Sequence, residues 1–168
     1  MALDAEQARL FRDLLADEEV AALGTLHAGE PFVSMTPFAA LPDGRGFVLH
    51  VSRLAAHTQH MAAEPKVSLM VTAPAAADVA PQARPRISIQ GDAAPCPPGD
   101  PRHDAARAAY LARFPRSEPM FGFGDFSLVV VIPRTARLVG GFGMARSVGA
   151  DTLAELARTV IQGTEAAS

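Results

Sequence analysis

The run Leu49-His50-Val51-Ser52-Arg53-Leu54-Ala55-Ala56-His57-Thr58 places a hydroxyl, a guanidinium, an imidazole and a second hydroxyl where a β-rich segment gives way to a helical pattern. A helix start presents unpaired N–H groups and the positive end of the helix dipole, so Ser52, Arg53, His57 and Thr58 form a cradle suited to a phosphate. A plainer reading uses the same residues, with Ser52 as an N-cap and Arg53 and His57 in water. His57 and His60 stand three apart, but the only carboxylate on their face is Glu64, at the helix end beside Pro65, so no metal site is expected. Gly141-Phe142-Gly143 lacks the full glycine pattern and the strand-loop-helix unit of a dinucleotide loop. Ser34 and Ser88 have no nearby His and acid pattern of a serine nucleophile, and Phe121-Gly122-Phe123-Gly124 reads as a packed turn. Cys96, the single cysteine, reads as an inert thiol.

These residues are positioned by short apolar runs with turn signals between them. Residues 4–16 form an amphipathic helix with Leu10, Phe11, Leu14 and Leu15 on one face, Asp4 as N-cap and Gln7 three residues later. Strands are expected over 20–27, 32–41 and 47–52, with turns at Ala28-Gly29 and Pro42-Asp43-Gly44. A short helix over 54–63 ends before Pro65, and a strand follows over 66–72. Residues 73–85 have no periodicity and read as a surface loop. In Arg86-Ile87-Ser88-Ile89-Gln90 the isoleucines face the core and the polar residues face away. A helix over 102–114, strands over 126–132 and 136–139, an extended stretch at 145–148 and a helix over 151–162 complete the chain, with Gly163 placed to end the last helix. Six or seven short strands with inserted helices and no βαβ alternation predict a mainly β, α+β fold, an antiparallel split β-barrel.

The chain has 168 residues, 49% hydrophobic and 20% charged, which suits one core and hence a single domain over 1–168. A net charge of −3 with scattered Arg and Lys argues against nucleic acid or an anionic membrane as partner. The acidic start and the lack of a long apolar run predict a soluble, cytoplasmic protein.

Several separated motifs then occur in a consistent order: SRLAAHT over 52–58, Pro65-Lys66-Val67-Ser68-Leu69, Arg86-Ile87-Ser88-Ile89-Gln90-Gly91, Asp125-Phe126, and Gly140-Gly141-Phe142-Gly143 with Ala145. Together they resemble the pyridoxamine 5'-phosphate oxidase-like FMN-binding split-barrel family, most of all its branch related to haem-utilisation proteins. The resemblance implies a homodimer with FMN at the subunit interface, each site built from both chains. Ser34, Met35 and Thr36 would lie along the isoalloxazine ring, and Ser52, Arg53, His57 and Thr58 would serve the phosphate and ribityl chain. Arg86 would meet the flavin from its strand, and Phe142 and Gly143 of the partner chain would close the site.

Two departures shape the expected function. The chain has no Trp and carries Pro37-Phe38 where vitamer oxidases of the family place a basic residue, so oxidation of a B6 vitamer is not expected. Haem-degrading relatives commonly carry a further C-terminal domain, whereas one helix follows Ala145 here. The expectation is an FMN-dependent oxidoreductase of unknown substrate, with no side chain assigned as acid or base. The alternatives are a non-catalytic flavin or haem binder, or a haem-utilisation protein with His50, His57 or His60 as iron ligand.

Overall fold

A computed structural model describes residues 3–141 and 143–165. Helix α1, Ala5–Asp17, begins where the Asp4 carboxylate accepts the Gln7 N–H at 2.8 Å, and it buries Phe11, Leu14 and Leu15. Strands β1 (Val20–His27), β2 (Glu30–Pro37), β3 (Ala39–Ala40) and β4 (Phe47–Ser52) lead to α2 (Ala56–Ala63) and β5 (Lys66–Thr72). Then come β6 (Arg86–Pro95), α3 (His103–Arg113), β7 (Phe126–Gly141), β8 (Met144–Gly149) and α4 (Ala150–Glu165). A 3-10 turn sits at Pro81–Ala83 and a longer 3-10 segment at Pro115–Gly122.

All strand pairs are antiparallel, in the order β2-β1-β5-β6-β7-β4-β3 with β8 also on β7. The sheet curls into a half-barrel, the split-barrel architecture the strand count predicts. Its hollow is filled by Leu23, Phe38, Phe47, Leu49, Leu69, Ile87, Ile89 and Leu138, closed by α1 and α4. Each of these side chains, once buried, contributes roughly 1.5–3 kcal/mol relative to exposure. A second, smaller core lies on the outer side of β3, β4 and β7, where α3 buries Val48, Cys96, Ala106, Tyr110, Leu128 and Val130. Cys96 is therefore a packing residue, and burial pushes its thiol pKa up.

Four sequence expectations change. The run 32–41 divides at Phe38, whose ring turns fully into the core and ends β2. The strands expected over 126–132 and 136–139 are one strand of 16 residues, β7. Its first part pairs with β4 up to Val131 and its later part with β8 from Thr135, so Pro133, which has no N–H to give, falls at the changeover. The sheet thereby gains β8 and has eight strands. Strand β6 extends to Pro95 past a bulge at Gln90/Gly91. At Gly91 a Cβ would stand 2.4 Å from the Ile132 carbonyl oxygen, so the two strands approach this closely only across a glycine. Finally, α4 continues to Glu165 through Gly163, which lowers helix propensity without forbidding helix. No helix among the described residues is long and apolar enough to cross a membrane.

Candidate functional site

Strand β4 delivers Ser52 and Arg53 to the rim of the barrel, and the chain turns through Leu54 and Ala55 into α2. Ser52 is not the helix cap. The N-cap is Ala55, which has no side chain able to accept a hydrogen bond; its carbonyl takes the Thr58 N–H at 3.1 Å, and the N–H groups of Ala56 and His57 are left for an outside acceptor. The Ser52 hydroxyl instead accepts the Leu54 N–H at 3.1 Å and donates to the Asp125 carboxylate at 2.6 Å. Arg53 donates through its guanidinium to the Gly124 carbonyl at 2.6 Å, and its backbone N–H donates to the Asp125 carbonyl at 2.7 Å. Thr58 Oγ1, one helical turn in, is buried and without a partner.

Helix α2 lies against the barrel end of β1 and β2. His57 Nδ1 and the Ser34 hydroxyl share a hydrogen bond at 3.1 Å, and His60 Nδ1 shares one with Thr25 at 3.0 Å while stacking on His27 at 4.8 Å. Burial, and then the nearby His60, lower the His57 pKa, so His57 is neutral near pH 7. The Ser34–His57 contact bridges 23 residues and overturns the expectation that Ser34 has no histidine nearby, since that reading covered only local sequence. No carboxylate is described on the other imidazole nitrogen, so the pair is not a nucleophilic triad.

The structure thus brings Ser34, Ser52, Arg53, His57 and Thr58 together. Thr36 shares the face of Ser34 but is buried and donates to the Pro37 carbonyl. Met35 points the other way, 63% exposed on the outer face, as strand alternation requires. Arg86 donates to the Gln82 and Arg84 carbonyls and pairs with Val139, near the far end of β7 from Phe126, which pairs with Ser52. Gly143 lies in the β7–β8 turn at that same far end with φ +78°, and Phe142 lies outside the described residues. Within one chain, Arg86 and Gly143 are therefore apart from the cradle.

His50 belongs to the outer core. It is 5% exposed, and Phe121 stacks on its ring at 3.9 Å, with Tyr110 at 5.5 Å and Phe126 at 5.1 Å. Its Nδ1 is buried without a partner, and the ring lies inside this core rather than at the rim where His57 stands. Sequence reading missed this stack and Asp125 as partner of Ser52, for the partners are about seventy residues apart in each case. Burial holds the His50 pKa below its ordinary 6.5. The folded state thus keeps the imidazole neutral while the unfolded chain takes up a proton below about pH 6.5, so this contribution to stability is full above that pH and falls as pH drops. Thermal midpoints measured from about pH 7.5 down to pH 5 should fall less for His50→Phe than for the wild type, His57 supplying part of the slope that remains. Equal slopes would show that His50 is not held neutral.

A cleft lined by Asp4, Glu6, Gln7, Arg9, Asp13 and Met144 lies between α1 and the β7–β8 turn, away from this cluster.

The curled antiparallel sheet, with a helix opening uncapped at the end of β4, defines a split-barrel protein whose candidate site lies at the start of α2. The chain belongs to the pyridoxamine 5'-phosphate oxidase family, whose model matches residues 8–140. It is 38% identical over 119 residues to the chloroplast heme oxygenase HOZ of Arabidopsis thaliana, covering 71% of this chain and 35% of that protein. A heme binding protein from Mycobacterium smegmatis superposes with TM-score 0.79 at 32% identity, over 92% of this chain and 62% of its own. HutZ, the heme storage protein of Vibrio cholerae, shares the fold with TM-score 0.68 at 24% identity, over 80% and 92% of the two chains. The chain spans about a third of the plant relative and less than two thirds of the mycobacterial one.

Proposed function

We propose that this protein is a homodimeric FMN-binding flavoprotein and an oxidoreductase of the split-barrel class. The observation that carries the reading is the rim at the start of α2, an uncapped helix with the orphaned Thr58 hydroxyl buried one turn in. A buried hydroxyl without a partner costs roughly 1–3 kcal/mol, and a ligand oxygen in reach of Thr58 and the free N–H groups of α2 removes that cost. The residues fit a phosphate monoester: Arg53 offers further N–H groups beyond the one on Gly124, and Ser52 supplies a hydroxyl. Ser34 and neutral His57, fixed to each other, offer a hydroxyl and an imidazole to the rest of the ligand. FMN, when bound, supplies the redox chemistry, and the protein supplies orientation and exclusion of water.

In the two-chain site Gly143 would be contributed by the partner chain, in keeping with its place at the far end of β7 from the cradle of its own chain. A further support is the outer face of β2, β1 and β5. There Met35, Ala22 and Met70 stand in register, flanked by Val20 and by Val33 at 67% exposure, an apolar strip of the kind that symmetric dimers cover.

Flavin titration followed by fluorescence tests the reading. Arg53→Ala should weaken FMN by roughly tenfold or more, since a charge-assisted hydrogen bond contributes about 1.5–3 kcal/mol, and Thr58→Val should weaken it less. Unchanged affinity in both variants would remove the cradle from the site, and a stable monomer in light scattering would remove the two-chain arrangement.

A second reading is haem binding, favoured by the heme-related names of the relatives at 32% and 38% identity. Of the three histidines, His57 is the best placed to act as ligand, being half-buried at the rim. A Soret band on hemin addition that His57→Ala abolishes would support it.

A further inference from the structure

We propose that Asp125 is a specificity determinant of the cradle, a built-in anion that competes with the ligand's phosphate for Ser52 and limits the preference for FMN over the unphosphorylated flavin. The inference rests on the flavin reading and concerns the same site.

Ser52 has one hydroxyl proton, and it lies on the Asp125 carboxylate at 2.6 Å, while its oxygen is already occupied by the Leu54 N–H. For Ser52 to donate to a phosphate, that proton must leave Asp125. The carboxylate then keeps its charge, loses its partner and remains beside the incoming dianion. The backbone keeps Asp125 at the rim, because its own carbonyl accepts the Arg53 N–H at 2.7 Å and Phe126 is already paired with Ser52 in the sheet. Gly124, one residue earlier, accepts the Arg53 guanidinium, so the 124–125 segment engages both charged or hydroxylic groups that β4 brings to the rim.

The charge balance points the same way. Arg53 brings one positive charge to the rim, Asp125 one negative charge, and the imidazole of His57 is kept neutral by burial and by His60. The side chains that meet the phosphate thus have no net positive charge, and the free N–H groups of α2 are left as the main attraction. A flavin whose side chain ends in a hydroxyl meets no such competition, since a neutral group can share Ser52 without opposing Asp125. The wild type should therefore prefer FMN to riboflavin only weakly.

Asp125→Asn tests this, because Asn keeps an acceptor for Ser52 and the backbone carbonyl for Arg53 while removing the charge. FMN and riboflavin dissociation constants are measured for the wild type and the variant by fluorescence titration at low ionic strength, with thermal melts to verify folding. The FMN-over-riboflavin preference should rise by about tenfold in the variant, the scale of one charge repelling a dianion a few ångströms away in a solvated site. Riboflavin affinity should be unchanged, and added salt should shrink the difference. If Asp125→Asn fails to fold, Asp125→Ser, which also removes the charge, is measured in its place. A parallel change in both flavins, or a weaker FMN, overturns the competitor role and leaves the flavin reading standing. Binding of neither flavin by wild type or variant overturns both.

Discussion

Arg113→Met should cost about 3 kcal/mol of stability, because it removes a set of charge-assisted hydrogen bonds and leaves their acceptors unpaired. Arg113 ends α3 and donates to the Leu15, Ala16 and Glu18 carbonyls, the acceptors left free where α1 stops. Its guanidinium also lies 4.8 Å from the centre of the Phe38 ring, so one side chain ties α1, α3 and the β2–β3 break together. Methionine keeps much of the apolar stem and none of the donors. In a chain of this size the thermal midpoint should drop by roughly 6–12 °C. Arg113→Lys should fall between the two, since an ammonium holds the charge but cannot span three carbonyls with a planar fork. A midpoint within a degree or two of wild type for the methionine variant would show that the clamp is spread over other contacts.

Gly44→Ala should be nearly as damaging, at about 2–3 kcal/mol, for two additive reasons. Gly44 sits in the turn before β4 with φ +70°, a conformation costly for any residue with a Cβ. That Cβ would also stand 2.1 Å from the Ala154 carbonyl oxygen of α4, a backbone atom that cannot rotate aside. The turn and the helix must therefore separate, and hydrogen exchange should show α4 amides losing protection first. Uniform loss of protection across the sheet would place the strain elsewhere.

Much of this fold was legible because local rules and tertiary packing agree. The Asp4 cap formed as its spacing to Gln7 predicts, β1, β4 and β5 kept their expected bounds, and Ile87 and Ile89 turned inward as their alternation requires. The failures are places where a distant partner decides. Phe38 looks like any strand residue until Arg113 and Phe47 fix its ring. Pro133 looks like a strand end until β8 is seen to replace β4 beside it. Of the candidate site, the rim from Ser52 to Thr58 could be read because one short segment carries it. Asp125 and the pairing of Ser34 with His57 could not, since each depends on a turn of the barrel that no local pattern encodes.

The sixteen-residue strand β7 also has a bearing on how the chain reaches its native state. The β1–β2 hairpin can close on itself within microseconds, but β4, beyond its two-residue pairing with β3, must wait for a strand some eighty residues later, Phe47 pairing with Val131. Such high contact order slows folding, because the entropy of closing the long loop is lost before the ladder returns anything. During synthesis β4 emerges well before its β7 partner, so Phe47, Leu49 and Val51, all buried in the finished barrel, spend that interval without their native cover. The nascent chain is therefore most vulnerable to aggregation between the appearance of β4 and that of β7, and a chaperone acting on this protein would be needed in that window.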